Sequence, residues 1–467
     1  MKKRTSILRR ILYIVLFIVL VGLGYGIAYC WRSFPIISGY GAKVLCSGVF
    51  VAGRDEQQVR TQDIGFFPIS LGSFKVDYKD SSVTASVFGF AKRKAIFRKG
   101  LGVTLIAQMS EEEIRKQQVN LPQQPIINQD SIAWPMGNRI VDSAMSGIDK
   151  KEVQAAVQQY FVENDTAKPI RTRAVVVLYK GQLIAEQYGE GFSANTKLLG
   201  WSMTKSVTNT LIGMLVKDGK LQVDAPAPVP EWKDANDPRH AITLKNLLNQ
   251  ASGLDFVEDY SKASDATRML FGRADMGGYT ASHPLKDKPG SVFYYSSGNS
   301  NILSRIIRQT VGDANYYRFP YDSLFYKLGM YSIILEPDPS GTFVGSSYSY
   351  ATARDWARFG LLYLNDGVWN GQRILPEGWV TATATPGAAA KEGDYGYQFW
   401  LNRGPANNPS NRNFPSCPQD LFYSDGFEGQ FVYIIPSKHL VVVRLGLTKF
   451  HNMEEDGLLA GIVKAVK

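Results

Sequence analysis

"GWSMTKSVTNTLIGMLVKDGK", residues 200–220, sets a serine and a lysine three positions apart at the start of a helical pattern. Met203, Val207, Leu211 and Leu215 recur at helical spacing, Ser206 to Thr210 interrupt them with polar side chains, and Gly219 follows Lys217 as a C-cap. The pattern predicts a helix from Ser202 to Asp218. Unpaired N–H groups and the positive end of the helix dipole at Ser202 favour an anion there. Lys205 falls one turn on, on the same face. Shut away from water, its amine is driven toward the neutral form and can take a serine proton. The stretch thus offers a nucleophile, a base and half of an oxyanion hole. The same residues also fit a plainer pairing, serine as N-cap and lysine as a solvated side chain.

Around this helix, "TRAVVVLYKGQLIAEQYGEG" reads as two strands turning at Lys180-Gly181, preceded by a helix over Lys150 to Asn164. Helices are expected at Leu244 to Gln250, Ser300 to Thr310 and Thr352 to Leu364. Strands return in "YGYQFWL", "GQFVYIIP" and "HLVVVRLGL", and a last helix begins near Glu454. Strands from both ends of one region enclosing helices imply an α+β fold: a sheet assembled from distant segments with an inserted helical subdomain. The Ser202 helix then begins at the seam, where clefts form.

The N-terminus has a different character. Lys2, Lys3, Arg4, Arg9 and Arg10 precede an uncharged run from Ile11 to Trp31, and roughly twenty such residues suffice to cross a bilayer. Residues 1–10 therefore read as a cytoplasmic basic tail and 11–31 as a transmembrane anchor, with everything after Arg32 on the periplasmic or extracellular side of a bacterial-type inner membrane. A cleaved signal peptide is the rival reading. These flanking charges account for much of the formal charge of +10, so nucleic acid is not a required partner. Residues 32–130 read as a membrane-proximal β-rich region, with "SGVFVAG", "SFKVDY", "SSVTASVFGF" and "GVTLIAQ" as strands. The basic run "AKRKAIFRK" within it reads as a solvated or membrane-facing surface. Residues 131–467 form the remaining domain.

Of the three cysteines, Cys30 lies in or beside the anchor, while Cys46 and Cys417 stand where a disulfide is permitted. No spacing resembles a metal site. His240, His283, His439 and His451 are scattered, which makes a histidine-based triad the weaker serine-hydrolase reading.

Two further stretches complete a constellation. In "PGSVFYYSSGNSNILSRIIRQTVG", Tyr295 precedes a helix and can reach a cleft, where a neighbouring ammonium is expected to lower its pKa and let it relay a proton. In "FYSDGFEGQFVYIIPSKHLVVV", Gly426 and Gly429 flank a strand start whose backbone can approach a ligand. Together the three stretches resemble the serine hydrolases of the class C β-lactamase and penicillin-recognising superfamily, nearest the 6-aminohexanoate-dimer hydrolase-like group, over roughly residues 130–467. The resemblance implies a β-lactamase-like fold, an antiparallel sheet flanked by helices with an all-helical subdomain. It implies Ser202 as nucleophile, Lys205 as general base, Tyr295 as proton relay, and the Ser202 and Phe427 amides as oxyanion hole. Ser297, Gly429 and Gln430 are the expected substrate-binding positions. The substrate class is a small-molecule or short-peptide amide or ester, with no metal or organic cofactor.

Two departures separate the chain from the penicillin-recognising members. Ser297 stands where Tyr-x-Asn has its asparagine, and "DLFYSDGFEGQ" carries no counterpart of Lys-Thr-Gly, whose lysine helps bind a substrate carboxylate. This favours the amide and ester branch over a D-alanyl peptidase or β-lactamase. A membrane-tethered binding protein whose catalysis has lapsed is the reading from a different class. Residues 402–420, rich in proline and asparagine, are expected as either an ordered lid or a mobile loop.

Overall fold

The computed structural model describes residues 2–141, 146–449 and 453–466; His451 lies outside them. Helix α1 (Lys2–Phe50) is followed by four strands, β1 (Gly72–Asp77), β2 (Ser82–Val87), β3 (Phe90–Arg98) and β4 (Gly102–Leu105), which form an antiparallel sheet in sequential order. Then come α2 (Lys150–Gln159), β5 (Thr172–Tyr179), β6 (Gln182–Tyr188), α3 (Met203–Lys217), α4 (Ser297–Val311) and α5 (Ala353–Leu364). The chain closes with β7 (Trp400–Leu401), β8 (Phe422–Gly426), β9 (Gln430–Ile435), β10 (Leu440–Gly446) and α6 (Glu455–Lys464).

The central sheet has the order β7-β8-β9-β10-β5-β6, so β10 from the C-terminal end pairs with β5 from the other end of the region. Every residue of β5 is buried because both faces are covered. Val176 and Leu178 face one core with Val432, Val441, Trp356 and Phe359, whereas Val175 and Val177 face another with Val153, Val157, Leu459 and Ile462. Helix α5 therefore lies on one side, α2 and α6 on the other. The helix α3 is buried around its whole circumference from Met203 to Leu215. Its polar run is hydrogen-bonded apart from the Asn209 side-chain oxygen: Thr208 Oγ1 donates to Gly345 O at 2.8 Å and Asn209 Nδ2 to Tyr363 Oη at 3.0 Å.

Two sequence expectations change here. The segment "SGVFVAG" is not a strand; it finishes α1, with the Val51 and Ala52 amides both bonded to Ser47 O at 3.0 Å. Extending an existing helix adds a hydrogen bond per residue without a new nucleus. The small side of α1 also closes on the sheet: a Cβ at Gly41 would stand 2.0 Å from the Phe74 ring. Similarly, only Trp400 and Leu401 of "YGYQFWL" pair as a strand, because Gln398 turns aside, its amide bonded to Leu248 O at 3.1 Å and its side chain to Leu247 and Leu248.

Residues 9–31 of α1 contain an apolar window with no buried residue, making this a helix long and apolar enough to cross a membrane. From Ile37 onward the same helix is core. Ile37, Ala42 and Leu45 join Val83 and Val103 of the small sheet, and the cluster continues into Trp201, Phe271 and Tyr350. Asp63 ties the regions electrostatically, accepting from Arg54 Nη2 and from Arg173 Nη2 of β5, each at 2.8 Å. The two guanidinium groups overcome the desolvation of the buried Asp63 carboxyl and hold its pKa down to about 2. The three cysteines are free, with Cys46 and Cys417 in separate cores. Within residues 402–420, Phe414 and Cys417 are buried against the outer face of the sheet. Asn402 clasps this loop, donating to Phe414 O at 2.8 Å and accepting from Phe414 N at 2.9 Å.

Candidate active site

Ser202 precedes α3 with helical φ and ψ of −65° and −9°, and its side chain makes no capping bond. Its hydroxyl instead receives a hydrogen bond from Lys205 Nζ at 2.9 Å, so the plain N-cap pairing does not hold. Trp201 holds a left-handed φ of +46° just before the serine, a strain that sites with a job tolerate. Gly200 before it has no room for a side chain, since a Cβ would meet Trp356 at 2.6 Å. The turn is thereby clamped between β-structure and α5.

Lys205 is 1% exposed. Nζ also reaches Ser297 Oγ at 3.1 Å and Ser346 O at 2.9 Å, and it lies 4.8 Å from the centre of the Tyr295 ring. Burial lowers its pKa to about 8, against the opposing pull of Glu258 and Asp425. At that value about a tenth of the amine is neutral at pH 7, far more than for an ordinary lysine, and its lone pair can accept the Ser202 proton.

Tyr295 lies beside this pair, the centre of its ring 4.8 Å from Lys205 Nζ. Its ring stacks on Trp400 at 5.3 Å and meets Tyr395 edge-on at 5.8 Å. The expectation of a lowered phenol pKa fails here. Burial raises it well above the usual value, with Tyr395, Asp425 and Glu258 adding to the rise and the polar Ser202 side chain working against it. Tyr295 is therefore a phenol proton donor, not a phenolate.

The turn expected to supply the second oxyanion donor joins β8 to β9, with Gly426 opposite Gln430. A Cβ on Gly426 would stand 2.2 Å from Gly200 O, so only glycine lets the end of β8 lie against the peptide before Ser202. That approach brings Phe427 alongside the residue before Ser202, its ring 5.8 Å from Trp201 and 6.4 Å from Tyr260. Among the described residues neither the Ser202 nor the Phe427 amide donates a backbone hydrogen bond.

Three expected substrate-binding positions resolve differently. Gln430 is turned inward, donating to Gly446 O at 2.8 Å and accepting from Gly446 N at 3.0 Å, so it braces the turn. Gly429 has φ +82° and sits against Arg444, whose Nη1 donates to its carbonyl at 2.6 Å. Both have a packing role. Ser297 belongs to the proton network: its hydroxyl bonds Lys205 and, at 3.0 Å, Tyr260 Oη.

Several neighbours escaped sequence reading. Glu258 accepts from the Ser297 amide at 2.9 Å and from Tyr260 Oη at 2.7 Å. Asp425 lies in β8 beside the β8–β9 turn, and burial holds its carboxyl far above the usual range. Ser424, also in the strand that lacks the expected lysine, donates to Ser206 Oγ at 2.8 Å. None of these carries a local pattern; long-range packing alone assembles them.

The beta-lactamase family profile matches residues 157–465. The 6-aminohexanoate-dimer hydrolase of Paenarthrobacter ureafaciens is 25% identical over 324 residues, covering 63% of this chain and 79% of its own length. A solved Bacillus anthracis structure, provisionally assigned as a 6-aminohexanoate-dimer hydrolase, superposes with a TM-score of 0.52 at 24% identity, covering 62% of this chain and 78% of that one. A penicillin-binding protein homologue from Caulobacter crescentus has the same fold, with a TM-score of 0.53 at 16% identity over 70% of this chain and 99% of its own.

Proposed function

Because this chain belongs to the beta-lactamase family of hydrolases, we propose that it is a membrane-anchored serine hydrolase cleaving a small amide or ester through a Ser202 acyl-enzyme. The observation carrying this reading is the buried Lys205 amine, 2.9 Å from a serine hydroxyl that leaves its helix uncapped. Ser202 Oγ attacks the carbonyl carbon and its proton passes to Lys205 Nζ. The Ser202 and Phe427 amides hold the oxyanion, each donor worth about 3–4 kcal/mol. Tyr295 gives its phenolic proton to the leaving nitrogen or oxygen and recovers the one that Lys205 took from Ser202, the lysine amine lying 4.8 Å from the centre of its ring. Water then attacks the ester, a reverse relay supplies the Ser202 proton, and the acid leaves. Anchoring is supported by the exposed apolar part of α1, and the basic residues that precede it favour the periplasmic or extracellular side for the hydrolase.

The absence of a Lys-Thr-Gly counterpart in "DLFYSDGFEGQ" argues against tight binding of a substrate carboxylate, hence against a β-lactamase or D-alanyl peptidase role. Linear esters and amides are expected to turn over faster than β-lactams.

The test is intact mass of the full chain in detergent after exposure to a fluorophosphonate. A single adduct that disappears in Ser202→Ala is expected; no adduct on folded protein overturns the reading. A second expectation concerns the turn. Gly426→Ala pushes Phe427 away from Ser202, lowering kcat on a soluble ester by about 10²–10³, as for loss of one oxyanion donor, with KM little changed. Unchanged kcat would remove Phe427 from the oxyanion hole.

A further inference from the structure

The hairpin between β2 and β3 turns at Phe88-Gly89, with Val87 paired to Phe90. Phe88 and Gly89 both have positive φ, 49° and 81°. Such two-residue turns favour Asn-Gly, and a phenylalanine at the first position pays a steric penalty that turn stability does not explain. Both aromatics point to solvent: Phe88 is 66% exposed and Phe90 62%. Exposed paired phenylalanines at a strained tip suggest an apolar partner.

The tip is fixed to α1 where the helix leaves its apolar run. Phe34 meets Phe88 edge-on at 5.9 Å, and Ser38 Oγ donates to Ala91 O at 2.6 Å. Phe34 lies three residues beyond Trp31, which is about 4–5 Å of helix rise. With Ile11 to Trp31 filling the hydrocarbon core, Phe34 and the tip stand at headgroup depth.

The charges that follow have the matching sign. Lys92 is exposed, and Arg93 is half-buried with Nε unpartnered, its guanidinium bonded only to Lys92 O at 3.4 Å. Among the described residues no carboxylate pairs with either, whereas Lys94 is already engaged by Asp80 and Glu111. Thr84, Lys92, Arg93, Lys94, Gln108 and Gly272 bound a recess of about 430 Å³. Desolvation without an anion lowers the Arg93 pKa, as for a cation lacking its counter-charge.

We propose that the β2–β3 hairpin tip is a second membrane contact, Phe88 and Phe90 entering the lipid interface while Lys92 and Arg93 take the phosphates of anionic phospholipids. The proposal rests on α1 being a membrane anchor. One helix lets a domain swivel about its axis; a second contact sets one orientation. Since α1 reaches Tyr40, whose ring stacks on Trp201 at 6.1 Å next to Ser202, that orientation also fixes the height of the nucleophile above the bilayer.

The test uses the full chain, Cys30→Ser, in vesicles of zwitterionic lipid with or without phosphatidylglycerol. A polarity-sensitive fluorophore is attached at Phe88→Cys or at Lys79→Cys, the latter at the far end of the same sheet; Cys46 and Cys417 are buried. The expected result is blue-shifted emission at position 88, quenched by a lipid bearing a headgroup-level nitroxide, with water-like emission at position 79. Lys92→Glu, or omission of the anionic lipid, weakens docking at position 88, by roughly fivefold per basic residue neutralised. Lys92 is exposed, so this variant reads docking and not folding. Equal, water-like signals at both positions in protein that floats with the vesicles overturn the proposal. Quenching at position 88 that ignores lipid charge overturns the phosphate contact. Protein that does not float overturns the anchor itself, separately from the hairpin, and adduct formation at Ser202 is read independently of both.

Discussion

Lys205→Met lowers kcat/KM for an activated ester by about 10⁴-fold, the upper range for removal of a general base acting directly on a nucleophile. Methionine keeps most of the buried volume, so the variant remains folded by circular dichroism and the loss is chemical. The wild-type pH profile carries the same information. Only the neutral amine accepts the Ser202 proton, so the active form lies above the Lys205 pKa of about 8. The logarithm of kcat/KM rises with unit slope at lower pH and levels off above that value. Glu258 and Asp425 favour the ammonium. Glu258→Gln therefore moves the limb to lower pH, while Lys205→Met abolishes it. A wild-type profile flat through this range, or a methionine variant of full activity, would assign the base elsewhere.

Glu336→Gln destabilises the whole chain by about 3–5 kcal/mol, because it strands a buried ammonium. The Glu336 side chain is fully buried. It takes Lys43 Nζ from α1, Ser47 Oγ at 2.9 Å and the Val103 amide of β4 at 2.7 Å. Lys43 also lies 4.4 Å from the centre of the Tyr348 ring, and desolvation lowers its pKa even beside the carboxylate. Urea unfolding of the detergent-solubilised chain measures the loss, and the double variant Lys43→Met with Glu336→Leu is expected to recover much of it. A single variant as stable as wild type would show that α1 is not held by this pair. The segment from Glu336 to Tyr348 that binds Lys43 also carries Ser346, whose carbonyl accepts from Lys205, so the N-terminal helix buttresses the lysine beside Ser202. Partial loss of ester turnover should accompany the loss of stability.

The legible parts of the sequence share one property: their information is local. Helical spacing in residues 203–215, the turn at Lys180-Gly181 and the apolar run of α1 each follow from neighbours within a few positions. Ser202, Lys205 and Tyr295 were readable because each sits in a short motif. Alternation misled at "SGVFVAG", where a helix already begun continues at lower cost than a strand can start. It misled again at "YGYQFWL", where Gln398 bonds the helix at Leu247 and Leu248 instead of a neighbouring strand.

The sequence by itself determined the family fold, the pairing of Ser202 with Lys205 and the apolar N-terminal span, because covalent spacing sets which side chains share a helical turn or a strand face. Only the tertiary structure decided that α1 runs on into the catalytic core and that Tyr260, Glu258, Ser346 and Asp425 surround the lysine. It alone turned Gln430 inward and kept Tyr295 a protonated phenol. Those outcomes depend on burial and on contacts between residues distant in sequence, which set desolvation and pKa and leave no periodic trace along the chain.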